Sequence, residues 1–150
     1  MFNILVVDDH VHIRRLYEVN LEQNGYKPYT ACNGKEALAL LETTHIDLIV
    51  LDVMMPEMDG YTFLRTLRES GSEIPVLVIT ARDGAEDVRK AFTLGTDDFM
   101  VKPVDEIEML LRIRALMRRA KISEEKKLTI GSTVLEYDSL SITTKGEKVT

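Results

Sequence analysis

DLIVLDVMMPEMDG, running from Asp47 to Gly60, is the stretch that decides the fold. It carries a short apolar run, Leu48 to Leu51, into a single carboxylate, Asp52, and then turns sharply. A buried strand does not end in an anion at no cost. An unpaired charge at the edge of a low-dielectric core raises the free energy unless a cation or hydrogen bonds compensate it. The partners of Asp52 must therefore come from elsewhere in the chain.

On the N-terminal side, Asn3 to Val7 (NILVV) is a continuous apolar run, the pattern of a strand covered on both faces, and it ends in Asp8 and Asp9. A helical stretch follows, with Val11, Ile13, Leu16, Val19 and Leu21 among polar residues and Gly25 placed to terminate it. Tyr26 to Ala31 reads as a weaker strand, and Pro28 assigns it to a sheet edge. Asn33 and Gly34 open a second helix with Ala37, Leu38 and Leu41 on one face.

On the C-terminal side the alternation continues. Tyr61 to Glu69 is a helix, Pro75 to Ile79 a strand, Ala85 to Leu94 a helix, Asp98 to Val101 a short strand, and Asp105 to Ala120 a long helix with acidic residues early and basic ones late. Five strand–helix pairs predict an α/β fold. Its doubly wound, parallel sheet has right-handed crossovers and helices on both faces.

Beyond residues 1–121 the pattern changes. Residues 122–127 contain the polar run SEEKK, which lacks apolar periodicity and reads as a linker. Residues 128–150 show short β-branched runs separated by turn residues, the pattern of antiparallel strands. Those hairpins are too short for a core of their own, so the chain is expected to stop inside a second domain.

The totals agree with one ordinary domain and a small remainder: 150 residues, 45% hydrophobic and 29% charged. No apolar run is long enough to span a bilayer, and the N-terminus lacks the pattern of a secretory signal. One cysteine, Cys32, rules out an internal disulfide framework. The expected location is the cytoplasm. A net charge of −6 argues against this chain holding DNA by itself, because the phosphate backbone repels it.

In a parallel sheet the residues that end the strands share one edge, where open α/β sheets bind ligands. Asp8 and Asp9 end the first strand, Asp52 the third, Thr80 the fourth and Lys102 the fifth. Taken singly, each has a plain structural reading: acidic pairs and threonines cap helices, and lysines are solvated at surfaces. Their joint placement at successive strand ends is harder to dismiss. Clustered carboxylates repel one another, which a bound cation relieves. Magnesium suits them, because it takes one or two carboxylates and keeps positions for waters and phosphate oxygens.

VVDD at 6 to 9, LDVMMPEMDG at 51 to 60, VITA at 78 to 81 and DDFMVKP at 97 to 103 stand in the order and spacing of a receiver domain of a two-component response regulator. The chain resembles that family over about Asn3 to Lys121. The resemblance implies a flavodoxin-like sheet of order 2-1-3-4-5 and phosphorylation of Asp52 by a sensor histidine kinase. It implies that Asp9, Asp52 and the Met54 carbonyl ligate Mg2+, with Asp8 assisting through water. Thr80 and Lys102 would contact the phosphoryl oxygens, Thr80 and Phe99 would form the switch, and Lys102-Pro103 would be cis. On this reading the chain is a phosphoacceptor signalling domain, not a turnover enzyme.

The last helix carries more apolar residues than one sheet-facing stripe requires: Ile107, Leu110, Leu111, Ile113, Leu116 and Met117. The surplus points to a partner surface. The tail resembles the start of the winged-helix domain of the OmpR/PhoB class, which implies a phosphorylation-favoured homodimer and DNA recognition by an effector domain beyond Thr150. Candidate cross-subunit ion pairs are Asp98 with Arg112, Asp97 with Arg119, and Lys90 with Glu108.

Two rival functions fit less well. Phosphohydrolases of the haloacid dehalogenase type need a second acid two residues after the nucleophile, where Met54 stands. A flavodoxin-like nucleotide binder would need a glycine-rich loop after the first strand, where Asp8 and Asp9 stand instead. His10 departs from the acidic residue often found after the aspartate pair, and it could reduce local acidity and affect metal affinity. His12 and His45 read as surface residues.

Overall fold

The apolar runs form strands in the computed structural model, which describes residues 2–53, 59–81 and 84–131, with 122–131 given by their backbone alone. The elements are β1 (Asn3–Val7), α1 (Val11–Gln23), β2 (Lys27–Ala31), α2 (Gly34–Thr43), β3 (Leu48–Leu51), α3 (Gly60–Glu69), β4 (Val76–Thr80), α4 (Ala85–Leu94), β5 (Asp98–Val101) and α5 (Glu106–Gly131). Among the described residues all strand pairs are parallel, in the order β2-β1-β3-β4-β5. That is the order of the flavodoxin-like expectation. β2, the strand containing Pro28, lies at an edge, where the missing amide donor breaks no ladder on the open side.

Alternation along each strand sorts the core into two layers. Leu5, Val7, Ile49, Leu51, Val76 and Val78 pack with Ala37 of α2, Phe63, Leu64 and Leu67 of α3, and Ala91 of α4. Ile4, Val6, Leu48, Val50, Leu77 and Ile79 pack on the other side with Tyr17 and Leu21 of α1 and Met109, Ile113 and Leu116 of α5. β1, β3 and β4 are covered on both faces, which is why their sequences are continuously apolar and not alternating.

Two expectations about helices change. α1 buries Tyr17 and Leu21 and packs Ile13 beside them, a spacing of four, while Val11 and Leu16 remain exposed. The tyrosine supplies the missing apolar position of the stripe. α5 continues through Gly131, so residues 122–127 are helical where a linker was read, and Leu128 to Gly131 are helical where a strand was read. Lack of apolar periodicity means that no core face is required there; it does not forbid a helix, and glutamate and lysine are good helix formers. The rest of the expected antiparallel segment, 132–150, lies outside the described residues. The chain divides into two compact units, Met1–Met117 and Arg118–Thr150. Among the described residues no helix is long and apolar enough to cross a membrane.

Candidate functional site

The parallel ladder continues one residue past the strand ends and so fixes the site. Asp8 N donates to Ala31 O at 3.1 Å, Asp52 N to Val7 O at 2.9 Å, and Lys102 N to Thr80 O at 2.8 Å. Asp8, Asp52 and Lys102 are thus set on one edge by the same hydrogen bonds that build the sheet. The Lys102-Pro103 peptide is cis, as the resemblance implies.

Three strand-end groups meet directly. Lys102 Nζ lies 3.3 Å from Asp8 Oδ2 and 3.2 Å from Asp52 Oδ2, with both carboxylates almost fully buried. A lysine between two buried carboxylates offsets part of their desolvation. Arg14 of α1 adds a guanidinium bond to the Asp8 carbonyl at 2.7 Å. Thr80, fully buried, ends the neighbouring strand.

Asp9 completes the cluster differently. Its Oδ1 is buried without a hydrogen-bond donor, although His10 Nδ1 approaches to 3.2 Å, because that approach lacks hydrogen-bond alignment. One donor atom each from Asp8, Asp9, His10 and Asp52 lies within 4.8 Å of every other. Asp8, Asp9 and Asp52 carry three formal negative charges and Lys102 one positive, leaving −2 among these four groups. A divalent cation cancels that charge and gives the orphaned oxygen a partner, so the residues present fit the implied metal.

Close approach holds Gly60 against Val53 and the Asp52 carbonyl. A Cβ on Gly60 would collide with Val53 Cα and come within 2.7 Å of the Asp52 carbonyl. Gly60 N donates to Val53 O at 3.1 Å, and Asp59 caps α3 by accepting from Thr62 N at 2.9 Å. The DG of LDVMMPEMDG therefore returns the chain onto the backbone that carries Asp52. Met54, expected to supply a carbonyl ligand, lies outside the described residues.

Residues 4–114 match the family model described as the response regulator receiver domain. The chain belongs to that family. It is 36% identical over 143 residues to the heme response regulator HssR of Staphylococcus epidermidis, covering 95% of this chain and 63% of that protein. It is 36% identical over 149 residues to the transcriptional regulatory protein PcoR of Escherichia coli, covering 99% and 66%. The chain thus spans about two thirds of the length of these curated relatives. Among solved structures, a Francisella response regulator receiver domain superposes with a TM-score of 0.77 at 35% identity, over 80% of this chain and 99% of that one. The chemotaxis protein CheY4 of Vibrio cholerae superposes at 0.74 with 30% identity, over 77% and 98%.

In this receiver Phe99 is half-buried against the core layer that holds Val78, its neighbour in register on β4. Thr80 of β4 is paired with Val101 of β5, two residues beyond Phe99, so the two switch candidates lie on adjacent strands near one edge.

Five of the residues read as dimer contacts, Lys90, Asp97, Asp98, Glu108 and Arg112, have partners within the chain. Glu108 accepts from Arg112 Nη2 at 2.8 Å and Asp98 accepts two bonds from Arg112 Nη1 at 3.0 Å, which together raise the guanidinium pKa. Asp97 accepts from Arg68 and from Val76 N, each at 2.9 Å, and Lys90 Nζ lies 4.4 Å from the centre of the Tyr61 ring. Arg119 belongs to the second unit.

Tyr17 and Arg14 escaped sequence reading as site residues. Burial first, then the charges of Asp8, Asp52 and Glu106, push the Tyr17 phenol up to about 12. The available signal was its helical spacing from Ile13 and Leu21, which places it under the strand ends.

Proposed function

We propose that this receiver accepts a phosphoryl group on Asp52 from the phosphohistidine of a sensor kinase. The reading rests on one observation above all: a buried carboxylate at a strand end with a lysine ammonium 3.2 Å away. An Asp52 carboxylate oxygen attacks phosphorus, the phosphorus–nitrogen bond to imidazole breaks, and the imidazole leaves with the bonding pair. Lys102 balances charge on the transferring oxygens, and Thr80 offers them a hydroxyl. Asp9, Asp52 and the Met54 carbonyl would hold Mg2+, with Asp8 acting through water, and the ion would supply further positive charge at the phosphoryl group. Carboxylate catalysis here ends in a stored acyl phosphate; the only turnover is slow self-dephosphorylation.

The acyl phosphate brings roughly two negative charges to this edge. Thr80 turns its hydroxyl toward them, and Phe99 moves into the space vacated. The switched form dimerises through α4, β5 and α5, where Phe92, Val101, Ile107 and Leu111 are exposed apolar residues. In that dimer Asp98 with Arg112, Asp97 with Arg119 and Lys90 with Glu108 pair across subunits, exchanging for the pairs made within one chain. Output is transcriptional, in the manner of the OmpR/PhoB class, through an effector domain that binds DNA, and it takes place in the cytoplasm.

Intact-mass measurement after incubation with Mg2+ and acetyl phosphate tests the central step. The chain gains one phosphoryl mass, and Asp52→Asn gains none. Equal labelling of the two, or no labelling of the native chain, rules the reading out. Chelation of Mg2+ abolishes the gain.

A further inference from the structure

We infer that His10 is an additional donor at the Asp8, Asp9 and Asp52 cation site, giving this receiver a preference for imidazole-binding divalent metals over Mg2+. The inference deepens the metal assignment above and rests on it. The role of His10 comes from its placement. It is the N-cap residue of α1, its amide donates to Asp8 Oδ1 at 2.9 Å, and its carbonyl accepts from Arg14 N at 2.9 Å. The backbone is therefore pinned on both sides, and the ring is carried to the cluster by a fixed turn.

The ring nitrogen Nδ1 lies 3.2 Å from Asp9 Oδ1 and 3.5 Å from Asp8 Oδ1. Neighbouring ligands on one cation with bonds of about 2.1 Å stand about 3.0 to 3.4 Å apart, from octahedral to tetrahedral geometry. These separations are thus close to the edges of one coordination polyhedron. The Asp9 contact is not a hydrogen bond, and Asp9 Oδ1 is buried with no donor from the protein. Lys102 serves Asp8 and Asp52, so the part of the cluster without a cation is the part that His10 faces.

His10 is also open enough to turn, with a side chain 64% exposed. His45 makes a useful contrast: it is 80% exposed and spends its Nε2 on Asp47 at 2.8 Å. Mg2+ prefers oxygen and gains little from an imidazole, whereas Co2+, Ni2+ and Zn2+ bind imidazole well. A nitrogen beside three carboxylates therefore changes which ion is held more than whether one is held.

The test is calorimetric titration of the full chain with CoCl2 and, separately, with MgCl2, for the native sequence, His10→Asn and His45→Asn. Asparagine is a favoured N-cap residue, so His10→Asn keeps the start of α1. Loss of the imidazole weakens Co2+ binding by about tenfold or more and moves Mg2+ binding less than threefold, while His45→Asn moves neither. The visible absorption of bound Co2+ shifts in His10→Asn, an independent readout of the lost nitrogen. Normal Mg2+ binding with an unchanged Co2+ to Mg2+ ratio in His10→Asn overturns the role of His10 alone. Failure of the native chain to bind either ion overturns the metal site and this inference together.

Discussion

At the scale of single residues, burial decides which side chains matter. Gly60 looks like an ordinary turn residue, yet a methyl group there has no room against Val53 and the Asp52 carbonyl. Alanine normally favours a helix, so helix propensity alone predicts a gain for Gly60→Ala of up to about 1 kcal/mol. The backbone collision wins, and the variant is expected to lose about 1–3 kcal/mol in urea denaturation and to phosphorylate more slowly. Tyr17 supplies a second test. With its folded pKa raised to about 12 from 10.0, it holds its proton more tightly folded than unfolded. Its contribution is fully present below pH 10 and is lost as pH rises toward 12. Tyr17→Phe removes the phenol that ionises near pH 12 in a spectrophotometric titration and flattens the alkaline fall in stability over that window.

Among elements, two arginines that bridge secondary structure, Arg68 and Arg112, differ in worth. Arg68 of α3 donates to Gly95 O at 2.9 Å, Ser72 O at 3.1 Å and Ile74 O at 2.7 Å, and reaches Asp97 as well. One planar fork thus ties the end of α3 to the turns before β4 and β5, where Thr96 also bonds the Val76 carbonyl at 3.0 Å. Arg68→Ala leaves those carbonyls without donors and is expected to cost about 2–4 kcal/mol, with little rescue by Arg68→Lys, whose ammonium cannot reproduce the fork. Arg112 is 38% exposed, and its bonds to Asp98 and Glu108 are screened by water. Arg112→Ala should change stability by less than about 1 kcal/mol. Paired chemical denaturation curves for the two alanine variants check the contrast.

For the whole molecule, the proposed phosphorylation is expected to change the surface. Ile107 is 70% exposed and Leu111 55%, four residues apart on one face of α5, an apolar surface that a second copy of the chain would cover. With beryllofluoride as phosphate mimic, the chain is expected to shift from monomer to dimer in sedimentation velocity. Ile107→Ser combined with Leu111→Ser should reduce that dimer while leaving acetyl-phosphate labelling of Asp52 intact. An unchanged sedimentation profile of the native chain at high protein concentration would remove the dimer from the mechanism.

The sheet and the edge that carries Asp8, Asp52, Thr80 and Lys102 were legible in the sequence by itself. Continuous apolar runs alternating with helical periods leave a parallel, doubly covered sheet as their solution, and parallel strands necessarily end on the same side. Tertiary structure alone decided what depends on close approach between distant segments. It selected the face of α1 that buries Tyr17, brought Lys102 between two carboxylates, aimed His10 at the oxygen of Asp9 that has no donor, and made Arg68 a clamp. The course of α5 through Gly131 was hidden for a related reason. Periodicity reports which residues a core will cover, and a helix that needs no such cover has no period to read.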